Sequence, residues 1–76
     1  MVKVTLPELG EGIEKATVSY WFFQEGDKVE ANADLVEFVT DKATFNLPTP
    51  ATGVLSKIFF REGQTVKVGD LLAEIN

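Results

Sequence analysis

Shifted by 37 positions, the sequence lies on itself without a gap. Ser19 falls on Ser56, Phe22 on Phe59, Phe23 on Phe60, Glu25 on Glu62 and Gly26 on Gly63. Val29, Leu35 and Glu37 fall on Val66, Leu72 and Glu74 in the same frame. Two copies are too few for a solenoid, whose units are covered by neighbours on both sides. With 76 residues there is length for one domain and one thin core. The two halves must therefore pack on each other about a pseudo-two-fold axis and share that core.

The repeat also sets local detail. Val18, Trp21 and Phe23 read as inward residues of the first half, with Leu55, Ile58 and Phe60 as their counterparts. In both sets a three-residue step precedes a two-residue step. A regular strand turns every second residue inward, so each half needs a bulge, near Ser19-Tyr20 and Ser56-Lys57. Gly69 aligns with Asn32, the residue type that best replaces glycine in a left-handed turn. Phe22 and Phe59 are left facing outward, as two partly covered aromatics on neighbouring strands or as a docking patch.

The pattern predicts strands over 2–7, 16–23, 34–39, 43–47, 54–60 and 71–75, with short pairs around Val29 and Val66. Turn signals separate them at Gly10-Glu11-Gly12, Glu25-Gly26-Asp27, Pro48-Thr49-Pro50, Glu62-Gly63 and Gly69-Asp70. No window has a helical period. The expected fold is all-β, a flattened barrel or sandwich of two pseudo-two-fold-related, four-stranded antiparallel sheets.

The chain has neither cysteine nor histidine, which removes disulfides, Cys/His metal sites, thiol nucleophiles and histidine triads together. A net charge of −5 offers no electrostatic footprint for nucleic acid or anionic membrane. No apolar run approaches a membrane span and no signal-peptide pattern opens the sequence. Gly10-Glu11-Gly12 lacks the third glycine and the lysine of a phosphate loop.

What remains is Thr40-Asp41-Lys42-Ala43, four polar or small residues between the apolar runs Leu35–Val39 and Ala43–Leu47. That is a hairpin signature with a lysine at the apex. The repeat equivalent of Lys42 would be position 79, just past Asn76. The two-fold therefore sets the lysine turn at one pole and the chain ends at the other, the geometry of a carrier that faces away from its tether.

The stretch Glu37-Phe38-Val39-Thr40-Asp41-Lys42-Ala43 resembles the modification turn of lipoyl domains, the swinging-arm carriers of 2-oxo acid dehydrogenase complexes. Leu6-Pro7-Glu8-Leu9-Gly10-Glu11-Gly12-Ile13 resembles the opening strand and loop of that family. Trp21, Glu25-Gly26-Asp27-Lys28-Val29, Leu47-Pro48-Thr49-Pro50, Gly53 and Val68-Gly69-Asp70 also fall where the family has such residues. The resemblance covers nearly the whole chain, as a single lipoyl domain over residues 1–76.

The resemblance implies lipoic acid in amide linkage on Lys42. It gives Asp41 and Ala43 roles in turn presentation and recognition, with positioning of the turn through its carboxylate as the main role of Asp41. It implies that Glu8, Gly10, Glu11, Gly12, Glu14 and Thr40 serve partner recognition, the three glutamates as an acidic rim. It also implies the partners. A lipoate-protein ligase attaches the arm, and a thiamine-diphosphate 2-oxo acid decarboxylase reductively acylates it. An acyltransferase core passes the acyl group to coenzyme A, and a flavin dihydrolipoamide dehydrogenase reoxidises the arm. The resemblance then makes the domain itself non-catalytic and places it within a dihydrolipoamide acyltransferase chain.

The Gly-Glu-Gly loop resembles the pyruvate and branched-chain types more than the 2-oxoglutarate type. The implied location is the bacterial cytoplasm or the mitochondrial matrix. Val39 departs from the glutamate of many relatives and bears on which ligase and decarboxylase accept the domain. The alternatives are a biotinyl carrier, whose turn usually reads Ala-Met-Lys-Met, a glycine-cleavage carrier, an unmodified β-barrel interaction module, and an enzyme working through carboxylates or Lys42.

Overall fold

Each half supplies three strands of one four-stranded sheet and the remaining strand of the other, and the two sheets close on a common core. The computed structural model describes residues Met1–Asn76. Its strands are β1 (Val2–Thr5), β2 (Lys15–Trp21), β3 (Lys28–Val29), β4 (Asp34–Val39), β5 (Thr44–Pro48), β6 (Gly53–Ile58), β7 (Thr65–Lys67) and β8 (Leu71–Ile75). The sheet orders are β1-β8-β6-β3 and β5-β4-β2-β7, and every pairing is antiparallel. Adding 37 to β2, β3 and β4 lands on β6, β7 and β8. The same exchange sends β5 to β1, so the first strand of the chain completes the second half.

The core is Val4, Leu6, Ala16, Val18, Trp21, Val29, Leu35, Val36, Phe38, Leu55, Ile58, Val66, Leu72, Ala73 and Ile75, with Phe23 and Phe60 packed against it. The inward residues expected from the repeat are all among these. The two bulges also stand where the three-residue steps required them, between Val18 and Tyr20 and between Leu55 and Lys57. Asn32 has φ 75° and Gly69 φ 93°, so both hold left-handed turns. Strand β1 stops at Thr5 because Pro7 has no N–H to continue the ladder. Leu6 instead donates to the Asp70 carbonyl.

One expectation is corrected. Phe22 and Phe59 are exposed, but they do not lie on neighbouring strands. They follow β2 and β6, which belong to different sheets. Positions related by the two-fold necessarily fall on opposite layers.

The two-fold extends to side-chain hydrogen bonds. At the first bulge the Trp21 N–H donates to Glu62 Oε2 at 3.2 Å, and at the second the Ile58 N–H donates to Glu25 Oε2 at 2.8 Å. Each glutamate thus satisfies a part-buried backbone donor that the bulge of the other half leaves without a ladder partner. Bonds between an amide and a charged acceptor contribute about 1.5–3 kcal/mol when buried, and partial exposure of these two sets them near the low end. Glu25→Gln and Glu62→Gln are each expected to cost about 1 kcal/mol, and Glu→Ala roughly twice that. Urea unfolding of both series checks the reciprocity, because matched losses at the two sites are expected.

Val2 pairs with Ile75, so the chain ends lie side by side. The operation that exchanges β4 with β8 carries the β4–β5 turn to those ends. The turn and the termini therefore occupy opposite ends of a body measuring 32 × 20 × 18 Å.

Candidate functional site

The β4–β5 ladder closes with Val39 opposite Thr44, leaving Thr40-Asp41-Lys42-Ala43 as the loop. The Thr40 N–H donates to the Ala43 carbonyl at 2.9 Å. The Thr40 hydroxyl accepts from the Lys42 N–H at 3.2 Å and the Ala43 N–H at 3.1 Å, and donates to the Ala43 carbonyl at 2.9 Å. A half-buried threonine therefore clamps the loop from its first position.

This corrects the role expected of Asp41. Its carboxylate is exposed and makes no hydrogen bond, because the threonine hydroxyl already occupies the amides an aspartate there would take. Asp41 and Ala43 flank the lysine as free surface. Thr40→Val removes the acceptor of two amides. The expected cost is about 1 kcal/mol, or a fall in Tm of roughly 4–8 °C, with faster hydrogen exchange at the Lys42 and Ala43 amides.

Lys42 is exposed and takes part in no ion pair; the single one in the molecule joins Arg61 to Glu25 at 3.8 Å. Its ammonium lies beside the Gly10–Ile13 turn, where the Ile13 N–H donates to the Gly10 carbonyl at 3.2 Å. Gly12, third in that turn, has φ 80°, as a type II turn demands. A Cβ on Gly12 would stand 3.4 Å from Lys42 Nζ, which places the lysine ammonium at contact distance from this loop. An open cleft runs between Gly12–Lys15 and Thr40–Lys42. Glu8, Glu11 and Glu14 line an adjoining cleft together with Lys67, a basic residue inside the acidic rim that sequence reasoning did not place there. Lys15 was likewise missed as a neighbour of the turn. No group of acidic side chains is arranged to hold a metal ion.

Two like sheets around one core, with an unpaired lysine at a hairpin apex, define a class of small attachment domain rather than an enzyme site. Comparison with known proteins identifies it. A family model described as "Biotin-requiring enzyme" matches residues 2–75, and the chain belongs to this biotin/lipoyl attachment family. It is a non-catalytic carrier domain.

The chain is 40% identical over 75 residues to the dihydrolipoyllysine-residue succinyltransferase component of the 2-oxoglutarate dehydrogenase complex of Rickettsia conorii. That match covers 99% of this chain and 19% of the relative. It is 36% identical over 73 residues to the lipoamide acyltransferase component of the branched-chain alpha-keto acid dehydrogenase complex of Bacillus subtilis, covering 96% and 17%. The chain thus spans about a fifth of the length of these relatives. Among solved structures, the lipoyl domain of the 2-oxoglutarate dehydrogenase complex from Azotobacter vinelandii superposes with a TM-score of 0.81 at 30% identity, covering 100% of this chain and 96% of that one.

Proposed function

We propose that Lys42 bears lipoic acid in amide linkage, and that the domain shuttles acyl groups within a 2-oxo acid dehydrogenase complex. The observation that carries this is the lysine itself, exposed and unpaired at the apex of a Thr40-clamped turn and flanked by Asp41 and Ala43. Free lysine, with a pKa near ~10.4, is almost wholly protonated at neutral pH. A ligase must therefore activate the acid and take the proton from Nζ. Amide formation removes the charge of Lys42 without breaking any ion pair, so the fold tolerates either state.

When bound, the lipoyl arm supplies the thiol redox and acyl-carrying chemistry that a cysteine-free chain lacks. The contribution of the protein is presentation. The turn holds the attachment point on stiff strands, and the Gly10-Glu11-Gly12 loop beside it, with Glu8 and Glu14, gives partners a folded surface to read. Tethering makes each encounter nearly intramolecular. The partners are a lipoate-protein ligase, a thiamine-diphosphate 2-oxo acid decarboxylase, an acyltransferase core and a flavin dihydrolipoamide dehydrogenase. They act in the bacterial cytoplasm or the mitochondrial matrix, and the domain would be part of a dihydrolipoamide acyltransferase chain.

A biotinyl group is the second reading, since the family includes both attachments. The turn argues against it, having no methionine on either side of Lys42. For the cargo, the Gly-Glu-Gly loop supports pyruvate or branched-chain acyl groups; relatives of both these types are found, while most of the similar relatives and the Azotobacter domain belong to 2-oxoglutarate complexes. Comparing the pyruvate, branched-chain and 2-oxoglutarate decarboxylases on one sample decides this, with fastest acylation expected from one of the first two.

The primary test is intact mass with peptide mapping, after incubation with lipoate, ATP and a lipoate-protein ligase of shown activity. A single lipoyl addition on Lys42 is expected. An unaltered Lys42 in the folded domain, or modification by a biotin ligase instead, would overturn the assignment.

A further inference from the structure

The two-fold allows each surface of one sheet to be compared with its twin on the other. On the outer face of the β1-β8-β6-β3 sheet, Glu74 sits in register between Lys3 and Lys57. Opposite charges on adjacent strands of one face compensate one another, even though neither lysine closes a direct ion pair. The equivalent row on the β5-β4-β2-β7 sheet is Asn46, Glu37 and Tyr20. Here Glu37 has an amide on one side and an aromatic ring on the other, with no cation. The lysines of this sheet, Lys15 and Lys67, face each other in register away from Glu37.

Apolar exposure breaks the symmetry in the same place. Tyr20 is 52% exposed and Phe22 40% exposed, and their rings meet edge to face at 5.0 Å. Exposed Val39 stands two residues beyond Glu37 on the same face, next to the lysine turn. The twin positions are Lys57, Phe59 and Asn76, so only one of the two faces carries the stripe Val39–Tyr20–Phe22.

We propose that this stripe is a docking surface for a partner protein that presents an arginine or lysine among apolar side chains. The partner's cation pairs with Glu37 and lies over the Tyr20 ring, while its apolar neighbours cover Phe22 and Val39. Desolvated cations gain from both a carboxylate and an aromatic face, and tyrosine and arginine are, with tryptophan, the residue types enriched at the energetic centre of interfaces. Because the stripe begins at the turn, the partner it suits is an enzyme that works on Lys42, foremost the 2-oxo acid decarboxylase. In that respect the inference rests on the carrier reading.

The test is heteronuclear NMR of the labelled, unmodified domain titrated with the decarboxylase, joined to kinetics on the lipoylated form. Amide broadening is expected at Tyr20, Phe22, Glu37 and Val39 and not at Lys57 or Phe59. Tyr20→Lys installs the residue that the twin position already accommodates, so the fold survives. That change and Glu37→Gln are each expected to raise KM roughly tenfold with kcat unchanged, and Phe59→Ser to alter neither. Broadening confined to the turn and the Gly10–Gly12 loop, or KM within twofold for both variants, overturns the proposal. The titration needs no lipoate, so it reads docking even where mass mapping has already failed at Lys42, and the two ideas fall separately.

Discussion

Lys42→Arg is expected to abolish reductive acylation while leaving the thermal unfolding curve unchanged within a degree or two. Arginine keeps the charge and length of the side chain, but its guanidinium stays protonated at any accessible pH and forms no amide with a carboxylic acid. The position is exposed and its side chain bonds to nothing, so the fold loses nothing. Surface changes of this kind fall within about 0.5 kcal/mol. The readouts are mass after ligase treatment and the decarboxylase-dependent acylation rate. A variant that still gains the mass, or one that unfolds, would contradict the placement of the attachment point on a dispensable side chain.

Trp21→Ala is expected to do the reverse and remove the fold. Trp21 is 1% exposed, ends β2 just after the first bulge, and donates its Nε1–H to the Phe60 carbonyl at 2.8 Å. Truncating a buried tryptophan costs about 3–5 kcal/mol, with more for the carbonyl left without its donor. A domain of this size has on the order of 4–11 kcal/mol in total. Most of that margin would disappear, and circular dichroism should find a substantial unfolded fraction at 37 °C. Trp21→Phe keeps most of the packing and loses the indole bond, so a smaller loss of about 1–3 kcal/mol is expected.

These two residues also mark what the sequence could convey. Inward and outward positions were readable because burial imposes a period of two, and a break in that period has one cheap solution, a bulge. Asn32 and Gly69 were readable because few residues accept positive φ. The crossed carboxylates were not. Glu25 and Glu62 aligned with each other, but alignment says only that two residues are equivalent. It does not say that each serves the half to which it does not belong, across 33 and 41 residues of chain.

Similarly, the hairpin and its lysine were legible, but the clamp was not. Threonine and aspartate both make turns, and which oxygen takes the amides depends on where the ladder stops. That stop is at Val39 opposite Thr44, which puts Thr40 first in the loop. Lys15 and Lys67 escaped notice as neighbours of the site because they reach it through strand pairing and loop return rather than through proximity in sequence.

Since Val2 and Ile75 face each other in antiparallel register, the ends are already posed as an unclosed hairpin. Joining them with a second Thr-Asp-Lys-Ala linker, and cutting the chain at the Gly26 turn, would give a circular permutant with two heads. Its two turn lysines would point in opposite directions, and under the proposed carrier function one molecule would take up two arms.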